Sequence, residues 1–579
     1  MGLGLAGRSA GPYRPDRVPF AFSRLPTQAG SLPVSIYMYR LTTQLYTSLR
    51  QKVQIMEYCI YEALTMEHRE VMRNGLSLAL HSDARAHRFS IRFAVTSLHV
   101  ETARGLLGHS DYIKLKKSGK ASDDTMRDAF DLVLRDFCTF GLYAQSTRNQ
   151  ARARHIEFDE PLYTHMKHIT EVFDSDAEQT MVNCGMSMCG VLGEDFFSNC
   201  KLLVKDPTHA ARRVLSRPWA CHPTLKVIIS TIVMDRGSIM ERIKNSGIFK
   251  GVFEGALIRL PNCSVNSSRL KNLSMAEHRF DSVVHPLVRG VLLFDAVVYT
   301  AIHIAVHRSG EDEGHDAVQF LQYASGEDGE LRLLLFAMMA DGGSAVLEFI
   351  RWWDSELHDP AEIYDRIGLL VNTLDWLFNQ RHCLSFEHSY TRLMLVHLQQ
   401  TRSIVAKGRP SAIGGFSKDR TIKEAFATMS DWIVVMLEVL KAEFPSWNLL
   451  QAFAVLNLRD VTRLRASDES TLLRFAQVFR LSVDDLRRDI LRVLPLALKL
   501  RHLSPELSNF EHWKLALRSL EANGESLPAL KKLLVRYGSY TGCTTSGVER
   551  VHSDQYWLFR EAAERHDERE RKCGDQDRR

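Results

Sequence analysis

Several residues in this 579-residue chain have types and surroundings suited to phosphate chemistry. Near the end, Thr544, Thr545 and Ser546 stand just before Val548, Glu549 and Arg550. Small hydroxyl residues followed by an acid read as a capped helix start, since hydroxyls satisfy free N–H groups and an acid suits the first turn. Two aspartates stop stretches of strand character: Asp83 closes 75–83, and Asp176 follows 168–173. Asp174 competes with Asp176 for the second place, and each aspartate alone reads equally as a turn or cap residue. Carboxylates gathered by folding would hold Mg²⁺, a hard ion that prefers oxygen. Two such ions about 3.5–4 Å apart can activate a water or a 3′-hydroxyl and stabilise the leaving oxygen of a phosphodiester. A further candidate is Asp206-Pro207-Thr208-His209, with Asp206 at an N-cap and Pro207 in the first turn. Arg212 and Arg213 follow it and add charge suited to backbone phosphates.

These residues need elements to position them. Residues 75–83 and 88–98 alternate, and a third short segment follows around 101–108, which predicts an antiparallel meander. Helical spacing covers 126–140, 168–173 reads as a fourth strand, 177–192 as a helix and 200–204 as a fifth strand. From Ala210 to about Leu534 the helical period dominates with hardly a strand. Its amphipathic runs are 225–253, 283–307, 331–356, 363–377, 390–405 and 422–444, with polar or Gly-containing joints such as 326–330 and 407–418. Residues 36–73 read as one or two further helices, and no fixed-period repeat is present.

The length calls for two or three domains or subdomains. A hydrophobic content of 45% with 25% charged residues is that of an ordinary soluble globular protein. A net charge of +5 permits nucleic-acid binding without demanding it, since acids nearly match bases. Ten cysteines scattered without a paired framework predict a reducing compartment. The most apolar stretch, 290–306, is interrupted by Asp295 and His303 and falls short of a bilayer, so no membrane span is expected. Residues 1–35, rich in Gly, Pro, Ser and Arg, read as a disordered leader. Cys184 and Cys189 read as packing residues, Cys383 with His382 and His388 as an incidental metal corner, and Trp352, Trp353 and Trp376 as core anchors. No Walker loop, dinucleotide fingerprint or Gly-x-Ser-x-Gly elbow is present.

The run Thr544-Thr545-Ser546-Gly547-Val548-Glu549-Arg550-Val551-His552-Ser553 resembles the C-terminal signature of hAT-superfamily transposases. Phe173-Asp174-Ser175-Asp176-Ala177 is similar to the family segment that carries the second catalytic acid just before a small residue. Asp206-x-x-His209 is similar to its Cys/Asp-x-x-His element, and Arg279-Phe280 falls where the family has Arg-Trp, whose aromatic stacks a flipped base. The resemblance implies a helix-rich α+β or α/β protein in which an RNase H-like mixed sheet is split by a large all-α insertion. It implies Asp83, Asp176 and Glu549 as catalytic, metal-holding acids with Mg²⁺ or Mn²⁺. Asp206, His209, Arg212, Arg213, Arg279 and Phe280 are then DNA contacts.

The matching organisation is a leader (1–35), N-terminal helices (36–74), the first part of the RNase H-like core (75–215), the helical insertion (216–500), a C-terminal dimerisation segment completing the core (501–560) and a charged tail (561–579). The implied function is DNA cleavage and strand transfer, with DNA as partner, self-association through the C-terminal segment, no small-molecule cofactor, no membrane, and a nuclear or nucleo-cytoplasmic setting. Trp513, Leu515, Leu517, Leu520, Leu527, Leu530, Leu533 and Leu534 are the apolar surplus that would form the self-association surface. Phe280 and His552 depart from the family's Trp and Phe. No Cys precedes Cys59 and no Cys-x-x-Cys occurs, so the family's N-terminal zinc finger is missing. These departures support the alternative of a catalytically silent, domesticated protein acting by dimerisation or DNA binding. A helical scaffold with no nucleic-acid role is the third reading.

Overall fold

The computed structural model describes residues 65–541 except 86–87, 111–122, 141–156, 176–178, 191–195, 261–283, 354–357, 407–408, 416–417, 445–451 and 460–468. All described residues belong to the unit Leu64–Arg579. Strands β1 (Gly75–Arg85), β2 (Arg88–Ser97) and β3 (Thr102–Ser110) form an antiparallel meander. A two-residue ladder, β4 (Thr139–Phe140) with β5 (Glu157–Phe158), follows. Strands β6 (Thr170–Ser175) and β7 (Leu202–Lys205) then join the meander in parallel, giving the order β3-β2-β1-β6-β7.

Alternation in β1 decides what each face of the sheet meets. Leu78 and Leu80 turn to one side, where they pack with Phe89, Phe93 and Phe173 under the helices Asp123–Phe137 and Gln179–Met188. Ser77, His81 and Asp83 turn to the other side and are buried there. On that side Ala79, Ala94, Val172 and Val204 continue into the core of the helical part.

The meander was expected, but two boundaries differ. β1 continues to Arg85, so Asp83 does not end it; Asp83 is paired with Ser90 of β2. Pairing of β1 with β6 does stop at Ser82 against Ser175. Residues 168–169, expected in the fourth strand, close the helix Glu160–Ile169 instead. Leu162, Tyr163, Met166 and Ile169 are buried at helical spacing, and the Asp159 side chain caps the start by accepting from Leu162 N at 2.9 Å.

After β7 the described chain is helical to Tyr540 except for one hairpin. Its strands, β8 (Arg402–Ala406) and β9 (Arg409–Ile413), correct the expectation that 390–405 is one helical run. That helix stops at Gln399. β-branched Ile404 and Val405 favour the extended chain, Ile404 and Ile413 are buried, and Arg402 holds the hairpin to Asp295 at 2.5 Å.

The helix Gly326–Trp353 is the axis of the helical part, so 326–330 is its first turn and not a joint. Trp432 and Trp219 press on its Gly342 and Gly343 at distances any β-carbon would tighten. Asp341 on the same helix accepts from Ser389 Oγ (2.8 Å), Tyr390 N (2.9 Å), Thr391 N (2.9 Å) and Thr391 Oγ1 (2.6 Å), capping a helix other than its own. Replacing Asp341 by Ala leaves these donors without their acceptor. A loss of about 3 kcal/mol is expected in urea unfolding, and Asp341→Asn should recover part of it.

By length and composition Gly326–Trp353 is apolar enough to cross a membrane, but 83% of its apolar window is buried inside the protein. Residues 290–306 are divided between two helices, His285–Leu292 and Phe294–His307, bent by 79°.

The C-terminal helices Asn509–Ala522 and Pro528–Tyr540 close the structure, and the second lies on β1 and β2. Ser77 Oγ meets Ser539 Oγ at 2.6 Å, and Arg536 pairs with Glu171 at 3.2 Å. A β-carbon on Gly538 would stand 2.4 Å from Thr102 Oγ1 and 2.8 Å from Thr96 Oγ1. Gly538→Val should therefore lift the helix off the sheet and cost about 2–3 kcal/mol, read as a lowered Tm. Trp513, Leu517, Leu530, Leu533 and Leu534 are fully buried and Leu527 nearly so. Six of the eight apolar residues singled out in the sequence therefore pack within the chain, while Leu520 is half-buried and Leu515 is exposed at 38%.

Candidate functional site

The polar end of the sheet is built by register. His81 and Asp83 are two apart on β1 and share a face, and the parallel pairing sets His81 beside Asp174 of β6. His81 Nδ1 lies 3.1 Å from Asp174 Oδ2, with Asp174 wholly buried. Burial, reinforced by the positive charges of Arg92 and Arg104 and by His358, and opposed by Asp206, pushes the His81 imidazole down to about 3. It is therefore neutral, and its Nδ1–H donates to the carboxylate. Ser82 Oγ donates to the Asp174 carbonyl at 3.2 Å. Asp83 completes the β1 side and is 6% exposed.

On the next strand, Asp206 follows β7 and its N–H donates to the Ser175 carbonyl at 2.8 Å. Its buried carboxylate caps the helix Pro207–Cys221, accepting from His209 N at 3.0 Å and lying 2.5 Å from His209 Nδ1. The N-cap reading of Asp206 is thus the structural one. Arg213 is paired with Glu443 at 3.4 Å, and Arg217 contacts the same carboxylate. Glu443 closes the helix Lys418–Glu443, so this pair ties the two helices together. Arg212 is half-buried on the helix Pro207–Cys221.

His358, buried against Trp352 (5.6 Å) and Trp353 (4.8 Å between ring centroids), brings the helical part within electrostatic range of His81. The structure therefore sets His81 beside Asp174, with Asp206 within electrostatic range and Asp83 two residues further along the same face of β1. Asp176, Arg279, Phe280 and Glu549 lie outside the described residues. Sequence reasoning did not single out His81 or His358. For His81 a signal was available, since it stands two residues before Asp83 on an alternating strand.

Among the described residues no three His, Cys, Asp or Glu side chains are grouped to hold a metal ion. Asp83 is the one described member of the expected carboxylate set. At the Cys383 corner the thiol is buried and pushed up to about 12 by burial and the nearby Asp341, while His382 stacks on Trp376 at 4.8 Å. The Cys184 thiol faces Met188 Sδ at 3.7 Å, and Trp353 is a core anchor, as expected. No family model matches this chain, and no curated protein is found similar to it.

Proposed function

We propose that this chain is a hAT-like DNA transposase or a transposase-derived protein, built on an RNase H-like sheet split by a helical insertion. Asp83, Asp176 and Glu549 are its cleavage acids. The observation that carries the reading is the sheet: an antiparallel meander joined by two parallel strands in the order β3-β2-β1-β6-β7. Its β1–β6 pairing ends at Ser82 and Ser175, one residue before Asp83 and Asp176 in sequence.

Chain reach supports the third acid. Arg104 donates to the Thr541 carbonyl at 3.3 Å. Arg104 stands beside Ala94, which pairs with Ala79, and Ala79 is about 13 Å along β1 from Asp83. The eight residues 542–549 can extend up to about 26 Å, so Glu549 is within reach of Asp83. DNA is the partner, with His209, Arg212, Arg279 and Phe280 as its contacts, and the setting is nuclear. Mg²⁺ or Mn²⁺ enters as the reagent of the test, since the described residues offer one of the three acids.

A second reading, a catalytically silent descendant that binds DNA or dimerises, is favoured by the near-complete burial of Asp83. Nicking of supercoiled plasmid in Mn²⁺ separates the two. An active enzyme nicks, and Asp83→Asn lowers the rate by about a hundredfold or more. DNA retardation without nicking leaves the silent descendant, and the absence of both removes DNA from the account.

A further inference from the structure

Two helices of the helical part, Gly247–Arg259 and Phe294–His307, pack side by side and bring four hydrogen-bonding side chains together at the surface. Tyr299, His303 and His307 are spaced four apart on the second helix and so share one stripe. The Tyr299 and His303 rings are 6.1 Å apart between centroids, and the His303 and His307 rings 4.3 Å. From the last turn of the first helix, Arg259 Nη1 lies 3.5 Å from Tyr299 Oη. Arg259, His307 and Tyr299 are exposed, and His303 is half-buried.

The set holds no acid. Among the described residues none of the four is in an ion pair with a carboxylate. Burial, then the charges of His307 and Arg259, hold the His303 imidazole below its ordinary value, and no carboxylate opposes them. Cations in the last turn of a helix answer its negative end, which accounts for Arg259 and His307. It does not account for His303 and Tyr299, one and two turns earlier, or for a guanidinium and two imidazoles gathered without a counter-charge.

We propose that Arg259, Tyr299, His303 and His307 form a binding site for a phosphate group. The guanidinium offers a planar fork of N–H donors that matches an oxyanion. The phenol and the imidazoles add further donors. A dianion also offsets the repulsion between Arg259 and the imidazoles once these are protonated. The site uses none of the acids proposed above for cleavage, so the two can fail separately. Phosphate reaches it as a small ester or as the backbone of a nucleic acid.

Isothermal titration of the full chain with inorganic phosphate, and separately with sulfate, at pH 7.5 and 6.0 tests the site. Sulfate keeps both charges across this range, so a change in its affinity comes from the protein. Both anions should bind, and sulfate should bind about threefold or more tightly at pH 6.0, where imidazoles gain protons. Arg259→Gln should lower affinity about tenfold or more, as loss of a charge-assisted contact implies. The double variant His303→Gln/His307→Gln should bind sulfate equally at both pH values. Thermal melts separate these effects from unfolding.

Phosphate titration with a DNA duplex present distinguishes the two sources. Competition that Arg259→Gln removes assigns the phosphate to a nucleic-acid backbone, and affinity unchanged by the duplex assigns it to a small ester. Either result keeps the site. A wild-type chain that binds neither anion overturns it. So does Arg259→Gln that lowers the Tm but leaves phosphate affinity within about twofold of wild type, which returns Arg259 to its helix-end role.

Discussion

In the presence of a chelator, the wild-type protein should lose stability relative to a His81→Asn variant by about 1.4 kcal/mol per pH unit as pH falls from 6.5 towards 3. The sign follows from the depressed value. The folded chain keeps His81 neutral down to about 3 because the ring is buried beside Arg92 and Arg104, whereas the unfolded chain takes up a proton near 6.5. Between those limits the unfolded state binds more protons, so the contribution is fully present above 6.5 and is lost as pH falls through the window. Integrated over the window it reaches about 5 kcal/mol, comparable with the whole stability of a marginal protein. Burial also raises Glu171, Asp341 and Asp359, and their opposite contributions cancel because both proteins share them. Urea unfolding at pH 7.5, 6.0 and 5.0 gives the comparison. Parallel stability curves for the two proteins would show that His81 gains its proton in the folded state as readily as in the unfolded one.

The sequence made the meander visible because β1 alternates in character, with leucines towards one face and small or polar side chains towards the other, although both faces are buried. Leu78 and Leu80 against His81 and Asp83 is a period-2 signal that a short window detects. β6 was harder. Among its six residues only Val172 and Phe173 are apolar, and they are adjacent, so no alternation marks where it begins, and the apolar side chains of the preceding helix merged with it. Asp159 before Glu160-Pro161 was the sequence signal for that helix. The β8–β9 hairpin was hidden because Ile404 and Val405 continue the apolar spacing of the helix before them, and Thr401, which follows the helix, is a weak stop. At the site, attention to carboxylates alone found Asp83 and Asp206 and passed over the imidazole that shares a face with Asp83. The pairing of His81 with Asp174 depends on the parallel register of two strands 93 residues apart, which no local pattern encodes. The acid partner of Arg213 is likewise 230 residues away and was not legible beside Arg212.

Removal of the Asp359 carboxylate should be among the most damaging single changes to the helical part, costing about 3–5 kcal/mol as Asp359→Ala. This buried group accepts from Tyr537 Oη (2.5 Å) and Ala361 N (2.9 Å) through Oδ1 and from Asn509 Nδ2 (3.1 Å) through Oδ2. Asn509 in turn accepts from Leu458 N at 3.0 Å, and Trp513 Nε1 donates to the Leu456 carbonyl at 2.8 Å. One carboxylate therefore joins the turn before the helix Ile363–Leu374 to both C-terminal helices, with 456–458 tied in through Asn509 and Trp513. Without it a phenol, an amide and a backbone N–H are left buried and unmet, and each such group costs about 1–3 kcal/mol. Tyr537→Phe removes one donor from a carboxylate that keeps two, so it should cost only about 1–2 kcal/mol. The double variant should be less destabilised than the sum of the two, with a coupling of about 1 kcal/mol or more. The effect should also travel, because Tyr537 directly precedes Gly538, the residue pressed on Thr96 and Thr102 of the sheet. Limited proteolysis of Asp359→Ala should therefore release the segment from Pro528 onward faster than in wild type, before the β1–β2 meander is cut. Additive costs for Asp359→Ala and Tyr537→Phe, or cleavage of the meander first, would show that the C-terminal helix is held by its contacts with the sheet and not through this carboxylate.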